Sequence, residues 1–136
     1  MMKKIIVYGL VAGFVLLILS ILGLHLLAWV FPSLAVQYFN PVFDGQSDRW
    51  VLYCLHPFII SLALSWFWAR SKTILAGTFL SRGIEFGLIY VLIAIVPMMW
   101  LIYSSMNVSI EMVASWTAFS LLEGVIAGLI FEKTNP

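Results

Sequence analysis

Long apolar stretches alternate with short polar segments along this chain. Four of these stretches, over residues 5–30, 50–69, 84–103 and 110–131, contain few or no charged residues. Each is about 20 residues or longer, and a helix that rises about 1.5 Å per residue would cross a hydrocarbon core about 30 Å thick. The pattern therefore predicts an all-α membrane protein with four transmembrane helices in an up-down bundle.

The composition agrees with this prediction. Hydrophobic residues make up 63% of the 136 residues and charged residues only 10%, which would leave too much apolar surface in water for a soluble domain of this size. No tract rich in Gly, Ser or Pro separates two halves. Residues 1–136 are therefore expected to form a single four-helix transmembrane domain.

The basic residues predict the orientation of the bundle. In a four-span arrangement Arg49 lies on one side of the membrane, and the other side receives Lys3, Lys4, Arg70, Lys72, Arg82 and Lys133. Because cytoplasmic loops are enriched in Lys and Arg, this asymmetry places both termini in the cytoplasm. The first apolar stretch is too long for the hydrophobic part of a cleaved signal peptide, so we interpret it as a retained span in a plasma or inner membrane.

The longest connection joins the first two spans. Pro32 begins a segment, residues 33–39, that is expected to form one or two helical turns in the membrane interface. Turns are expected at residues 40–45, where Asn, Pro, Asp and Gly cluster.

Three of the four spans contain two glycines four residues apart. They are Gly9 and Gly13, Gly83 and Gly87, and Gly124 and Gly128. Such pairs lie on one helix face and allow a second helix to approach closely in lipid. In the second span, Ser61 and Ser65 have the same spacing. We interpret these pairs as packing faces within one bundle, and an oligomerisation face is the alternative.

Glu123 is the residue that is hardest to reconcile with a membrane helix. Counting back from the end of its span places the carboxylate about 10 Å inside the hydrocarbon core, where an ionised acid costs several kcal/mol unless it is paired, protonated or hydrated. Ser120 lies on the same face, and Ser61 and Ser65 lie at depths that could meet it. One hypothesis is a proton or cation site; the other is a hydrogen-bonded structural acid reached by Arg70 or Arg82.

Glu85 is a simpler case. It lies at the start of its span, three residues after Arg82 and on the same helix face. This spacing predicts a surface ion pair between the two side chains.

Two histidines lie at similar depth in the half of the membrane opposite the basic residues. His25 and His56 are about 8 and 9 Å below the ends of their spans. On neighbouring helices they could ligate a metal ion or the two axial positions of a haem. Hydrogen-bonded structural histidines are the alternative, and no cofactor is assigned from the sequence.

Two prolines interrupt helices in this same half. Pro57 and Pro97 each remove a backbone hydrogen bond, so both helices are expected to bend there. Matching bends could open a cavity to the outside; the alternative is that both prolines simply kink packed helices.

The absence of recognisable motifs narrows the remaining function classes. A single cysteine, Cys54, excludes dithiol chemistry within the chain, and no phosphate-binding loop or hydrolase motif occurs. Three hypotheses remain. They are an oligomeric transporter or channel subunit that uses Glu123, a non-catalytic scaffold or accessory subunit of a larger complex, and a carrier of haem or metal on His25 and His56. The expected partners are the lipid bilayer and a second copy or another membrane protein, and no nucleic acid.

Overall fold

The computed structural model describes residues 2–38 and 49–135, except for the side chain of Arg49. Its helices are α1 (Met2–Val30), α2 (Pro32–Tyr38), α3 (Arg49–Ser71), α4 (Phe79–Ser105) and α5 (Ile110–Thr134). No strand occurs in this part of the chain. Four helices, all but α2, are long and apolar enough to cross a membrane, which confirms the predicted all-α membrane class. The turns predicted at residues 40–45 lie outside the described residues.

The helices extend beyond the apolar stretches because polar residues continue or cap them. α4 begins at Phe79, five residues before the apolar stretch, and the side chain of Thr78 caps it by accepting a hydrogen bond from the Ser81 amide. At the start of α5, the Ser109 hydroxyl accepts from the Met112 amide at 3.2 Å. Such caps satisfy amides that lack a partner in the first helical turn.

α4 is not regular along its length. Residues Val91–Ile95 form a π-helical turn, in which the Val96 amide donates to the Val91 carbonyl. Pro97 follows directly, and a proline ring would clash with the carbonyl four residues earlier in a regular α-helix. The wider turn therefore lies where the sequence predicts a disturbed helix. In α3, by contrast, Pro57 is buried within an uninterrupted helix.

The long helices pack as two close pairs, α1 with α3 and α4 with α5. In the first pair, the Gly9 and Gly13 face lies against Leu62 and Phe58 of α3. In the second pair, the glycines of the two helices lie against each other. In all three glycine pairs, the helix face that carries them therefore lies against another helix of the same chain.

The glycines of α4 and α5 form a direct backbone crossing. A methyl group built on Gly128 would lie 2.9 Å from the Gly83 carbonyl oxygen, and one on Gly124 would lie 3.1 Å from the Gly87 Cα. Because 83 meets 128 and 87 meets 124, the two helices run antiparallel at this point. Side chains other than hydrogen would keep these backbones apart.

A cluster of aromatic side chains fills the bundle beside this glycine crossing. Trp68, Phe86 and Phe131 are fully buried and belong to α3, α4 and α5. The Trp68 and Phe86 ring centroids are 5.1 Å apart, and those of Phe86 and Phe131 are 6.3 Å apart, both edge to face. Edge-to-face rings stabilise such a core beyond their buried area. The cluster therefore joins the two helix pairs.

Basic residues gather at the end of the bundle below this cluster, which we call the basic end. It contains the first turn of α1, the last turns of α3 and α5 and the first turn of α4. Arg82 forms an ion pair with Glu132 at 2.5 Å and donates to the Lys72 carbonyl at 2.8 Å. The predicted pair of Arg82 with Glu85 is therefore wrong, because α5 brings Glu132 to Arg82 and the Glu85 carboxylate accepts instead from the Ala76 amide.

The opposite end of the bundle is less tightly packed. The part of α4 after its π-helical turn, Val96–Ser105, has no buried residue, and Trp100 in it is 79% exposed. α2 lies beside the start of α5, where Ser109 donates to Gln37 at 2.6 Å and the Tyr38 and Ser115 hydroxyls are 2.7 Å apart. The short helix predicted after Pro32 is thus present.

Candidate functional site

The carboxylate of Glu123 lies at the centre of the bundle. Its side chain is 3% exposed, and its Oε1 accepts a hydrogen bond from the Ser20 hydroxyl of α1 at 3.4 Å. The next residue is Gly124, which lies against the ring of Tyr90 and the backbone of Gly87. The glycine crossing therefore brings Tyr90 of α4 close to the acid.

Hydroxyl groups from other helices surround this carboxylate. Tyr90 of α4 lies against Gly124, the residue after Glu123, and Ser120 is one turn before Glu123 on α5. Residues with hydroxyl groups on α1, α4 and α5 therefore lie at or near this acid, and we call Ser20, Tyr90, Ser120 and Glu123 the hydroxyl cluster.

The arginines suggested as partners of Glu123 make other contacts. Arg70 stacks on the Trp66 ring, 3.8 Å from its centroid, and donates to the Trp66 carbonyl. Arg82 is engaged by Glu132. The hydrogen bond that the structure gives to Glu123 therefore comes from a neutral hydroxyl, and the carboxylate is not neutralised by either arginine.

Two of the serines suggested from the sequence lie at another interface. The Ser65 hydroxyl donates to the Ile5 carbonyl of α1 at 2.9 Å, and Ser61 donates to the Phe58 carbonyl of its own helix at 3.0 Å. Ser65 therefore holds α3 against α1, and Ser61, whose hydrogen bond stays within α3, packs beside Gly13 of α1. At Glu123 itself the contact is with Ser20 of α1, and Tyr90 of α4 lies against the adjoining Gly124.

Sequence reasoning missed Ser20, although a signal for it exists. Within residues 5–24 of the first apolar stretch, Ser20 and Tyr8 are the polar side chains. A lone serine in a membrane helix commonly bonds to its own backbone, so it does not by itself indicate a partner on another helix.

The histidines lie on the outside of the chain. His25 and His56 are both exposed, and the His25 Nδ1 is 2.8 Å from the Ile21 carbonyl of its own helix. Over residues 2–38 and 49–135, no group of three or more His, Cys, Asp or Glu side chains is arranged to hold a metal ion. The carrier hypothesis therefore gains no support from a shared ligand set.

Packing differs on the two sides of Glu123 along α5. Towards the basic end, the residues of its face are Ala127 and Phe131, both fully buried. Towards the other end, Ser120, Trp116 and Ser115 are partly exposed. Along α5, Glu123 therefore lies between two fully buried residues and a partly exposed segment that carries hydroxyl groups, beyond which Met112 and Val113 are buried again.

The fold defines this chain as a small multi-pass membrane protein. No family model, curated protein or solved structure matches it. A function must therefore be argued from the residues and contacts themselves.

Proposed function

We propose that this chain is a subunit of a small transporter or channel that binds a proton or a monovalent cation at Glu123 and passes it across a plasma or inner membrane. Four helices enclose little space, so we propose that it works as an oligomer. The observation that carries the proposal is a buried carboxylate whose surroundings are hydroxyl groups from several helices.

The energetic argument starts from the cost of burial. An ionised acid inside the membrane costs several kcal/mol, and hydroxyl hydrogen bonds offset that cost less well than an arginine does. Binding a proton or a small cation removes or neutralises the charge. An acid with only a structural role would be stabilised better by the cations of this chain, but Arg70 and Arg82 are engaged elsewhere.

The surroundings of the acid suggest the side from which a cation reaches it. The partly exposed Ser115 and Ser120 lie on α5 between Glu123 and the end opposite the basic end. On the other side, the rings of Trp68, Phe86 and Phe131 close the bundle. In our proposal, the hydroxyl side is the open one and the aromatic cluster is the barrier that must move.

The orientation is part of the proposal. Lys4, Lys72, Arg82 and Lys133 belong to helix ends that meet at the basic end. Because positively charged helix ends remain in the cytoplasm, the basic end is cytoplasmic, with both termini there and the four spans in up-down order. The open side of the hydroxyl cluster then faces outwards.

The test is a flux measurement on the purified chain in liposomes, with proton, Na⁺ and K⁺ gradients applied in turn. Glu123→Gln keeps the size and an acceptor for Ser20 but cannot ionise, so we expect flux to fall about a hundredfold. The matched control is Glu111→Gln, which removes an exposed acid from the first turn of the same helix and should leave flux unchanged.

Two results would overturn the proposal. One is wild-type protein that moves none of the three cations faster than empty liposomes do. The other is a folded Glu123→Gln variant that retains wild-type flux. An absence of flux together with a second membrane protein bound at fixed stoichiometry would point to the accessory-subunit hypothesis.

A further inference from the structure

The short helix α2 bridges α1 and α5 at the end of the bundle opposite the basic end. A single residue, Phe31, separates it from α1, and Pro32 begins it. Because a residue before a proline avoids the helical conformation, the helix breaks at Phe31 and α2 is a separate element. The seven residues of α2 span about 10 Å, which is close to the distance between neighbouring helices. α2 is therefore long enough to reach from the end of α1 to the start of α5.

Side-chain contacts hold α2 on α5. The Tyr38 and Ser115 hydroxyls are 2.7 Å apart, and Ser109 donates to the Gln37 side chain at 2.6 Å. The ring of Tyr38 also meets that of Trp116 edge to face, with centroids 5.9 Å apart. Because these contacts are made by side chains, α2 can leave α5 without the unwinding of either helix.

The two helices that α2 bridges are those that hold the acid. Ser20 of α1 donates to Glu123 of α5. Trp116 lies two turns before Glu123 on the same face of α5, about 10 Å away along the helix, and the end of α1 is about 15 Å beyond Ser20. Between these levels the ring of Phe119 lies against Gly23, and this ring can turn. α2 is therefore a layer further out than Phe119 over the gap between α1 and α5.

We propose that α2 is a lid that controls access to Glu123 from the end opposite the basic end. Tyr38 holds the lid closed through Ser115 and Trp116, and the link at Phe31 is the hinge. Release of Tyr38 frees the far end of α2 while its near end stays attached to α1. This inference rests on the proposed function for the identity of the cation, whereas the movement of α2 and its effect on access can be measured without flux.

The test measures how fast a small cationic methanethiosulfonate reagent modifies Ser20→Cys, in a Cys54→Ser background, with the chain in lipid nanodiscs and mass spectrometry as the readout. Position 20 is buried beside the carboxylate, so its reaction rate reports access to the acid. Tyr38→Phe removes the hydrogen bond to Ser115 but keeps the ring, and it should raise the rate about fivefold. Tyr38→Ala also removes the ring contact with Trp116, so the rate should rise about 25-fold.

Matched controls separate the lid from a general loosening of this end. Tyr103→Phe and Tyr103→Ala change an exposed tyrosine on α4 and should leave the rate within about twofold. With Ser104→Cys as an exposed reporter at the same end, the Tyr38 variants should not change the rate, whereas a folding defect would raise it.

An unchanged rate at position 20 in both Tyr38 variants, or an equal rise at position 104, would overturn the lid. If the lid is overturned while flux through the wild type still depends on Glu123, the proposed function stands alone. If the Tyr38 variants raise the rate at position 20 but the wild type moves no cation, the lid is supported and the proposed function is refuted.

Discussion

The close approach of α4 and α5 makes a quantitative prediction for Gly87→Ala. A Cβ at this position would lie 2.7 Å from the Val125 amide nitrogen and 3.0 Å from its Cα. An ordinary contact begins at 3.4 Å, so the nearer distance is short by about 0.7 Å. The obstacle is backbone, which cannot rotate away. The two helices would therefore have to separate.

The size of the effect follows from two opposing contributions. Forcing an extra methyl group into a packed interface costs about 1–3 kcal/mol, and alanine favours a helix over glycine by about 1 kcal/mol. At Gly23 the balance differs, because the atom that a new Cβ would meet is the ring edge of Phe119, a side chain that can turn. We expect Gly87→Ala to be about 2 kcal/mol less stable than Gly23→Ala.

The assay is reversible unfolding in mixed micelles, with increasing denaturing detergent and tryptophan fluorescence as the signal. Trp68 packs beside Phe86, the residue before Gly87, so separation of the helices should be detected directly. Equal stability of Gly87→Ala and Gly23→Ala would refute the backbone crossing. A large loss in Gly23→Ala would show that the ring of Phe119 is as rigid as backbone, and the reasoning from side-chain freedom would be wrong.

Two further predictions concern the ends of the bundle. Arg82→Gln should lower the free energy of unfolding by about 3 kcal/mol, because it leaves the largely buried Glu132 without its cation. In the same unfolding assay, the double variant Arg82→Gln with Glu132→Gln should cost less than the sum of the two single changes. Simple additivity would refute a stabilising ion pair between the two residues. At α2, burial raises the pKa of the Tyr38 hydroxyl above its ordinary value of 10.0, although the hydrogen bond with Ser115 opposes the shift. The folded state therefore keeps this proton to a higher pH than the unfolded state does. The contribution of Tyr38 to stability should fall as the pH rises above about 10. In the difference spectrum between wild type and Tyr38→Phe, the tyrosinate absorbance should appear only above that pH.

The number and type of the helices could be predicted from hydrophobic length alone. In a membrane every backbone amide must be satisfied within the helix, so an apolar stretch of sufficient length has few alternatives. The helix ends were harder to predict, since Thr78 and the residues after it continue α4 into a polar segment. The π-helical turn before Pro97 is a local response to a proline, and its exact form depends on the packing of α4.

Glu123 could be identified from the sequence because its cost depends on depth, and depth follows from counting residues. Its partners could not be identified in the same way. Ser61, Ser65 and Ser20 all lie at depths that allow a contact, and helical periodicity does not state which face meets which neighbour. Arg82 shows the same limit. Glu85, three positions away, is the nearer acid in sequence, but Glu132 on another helix is the partner of Arg82 in the structure.

The position of the candidate site follows from two features of α4 that act in opposite directions. Gly83 and Gly87 hold α4 against α5, and this contact ends near Tyr90, which lies against Gly124. The π-helical turn begins at the next residue, Val91, and keeps Val91 and Ile95 buried, whereas no residue from Val96 to Ser105 is buried. On α4, buried residues therefore continue past the level of Glu123 as far as Ile95 and end there. An acid placed one turn nearer the basic end would be enclosed by the aromatic cluster, whereas Glu123 has that cluster on one side and the partly exposed Ser120 on the other, so its carboxylate is shielded and still adjoins a partly exposed residue with a hydroxyl group.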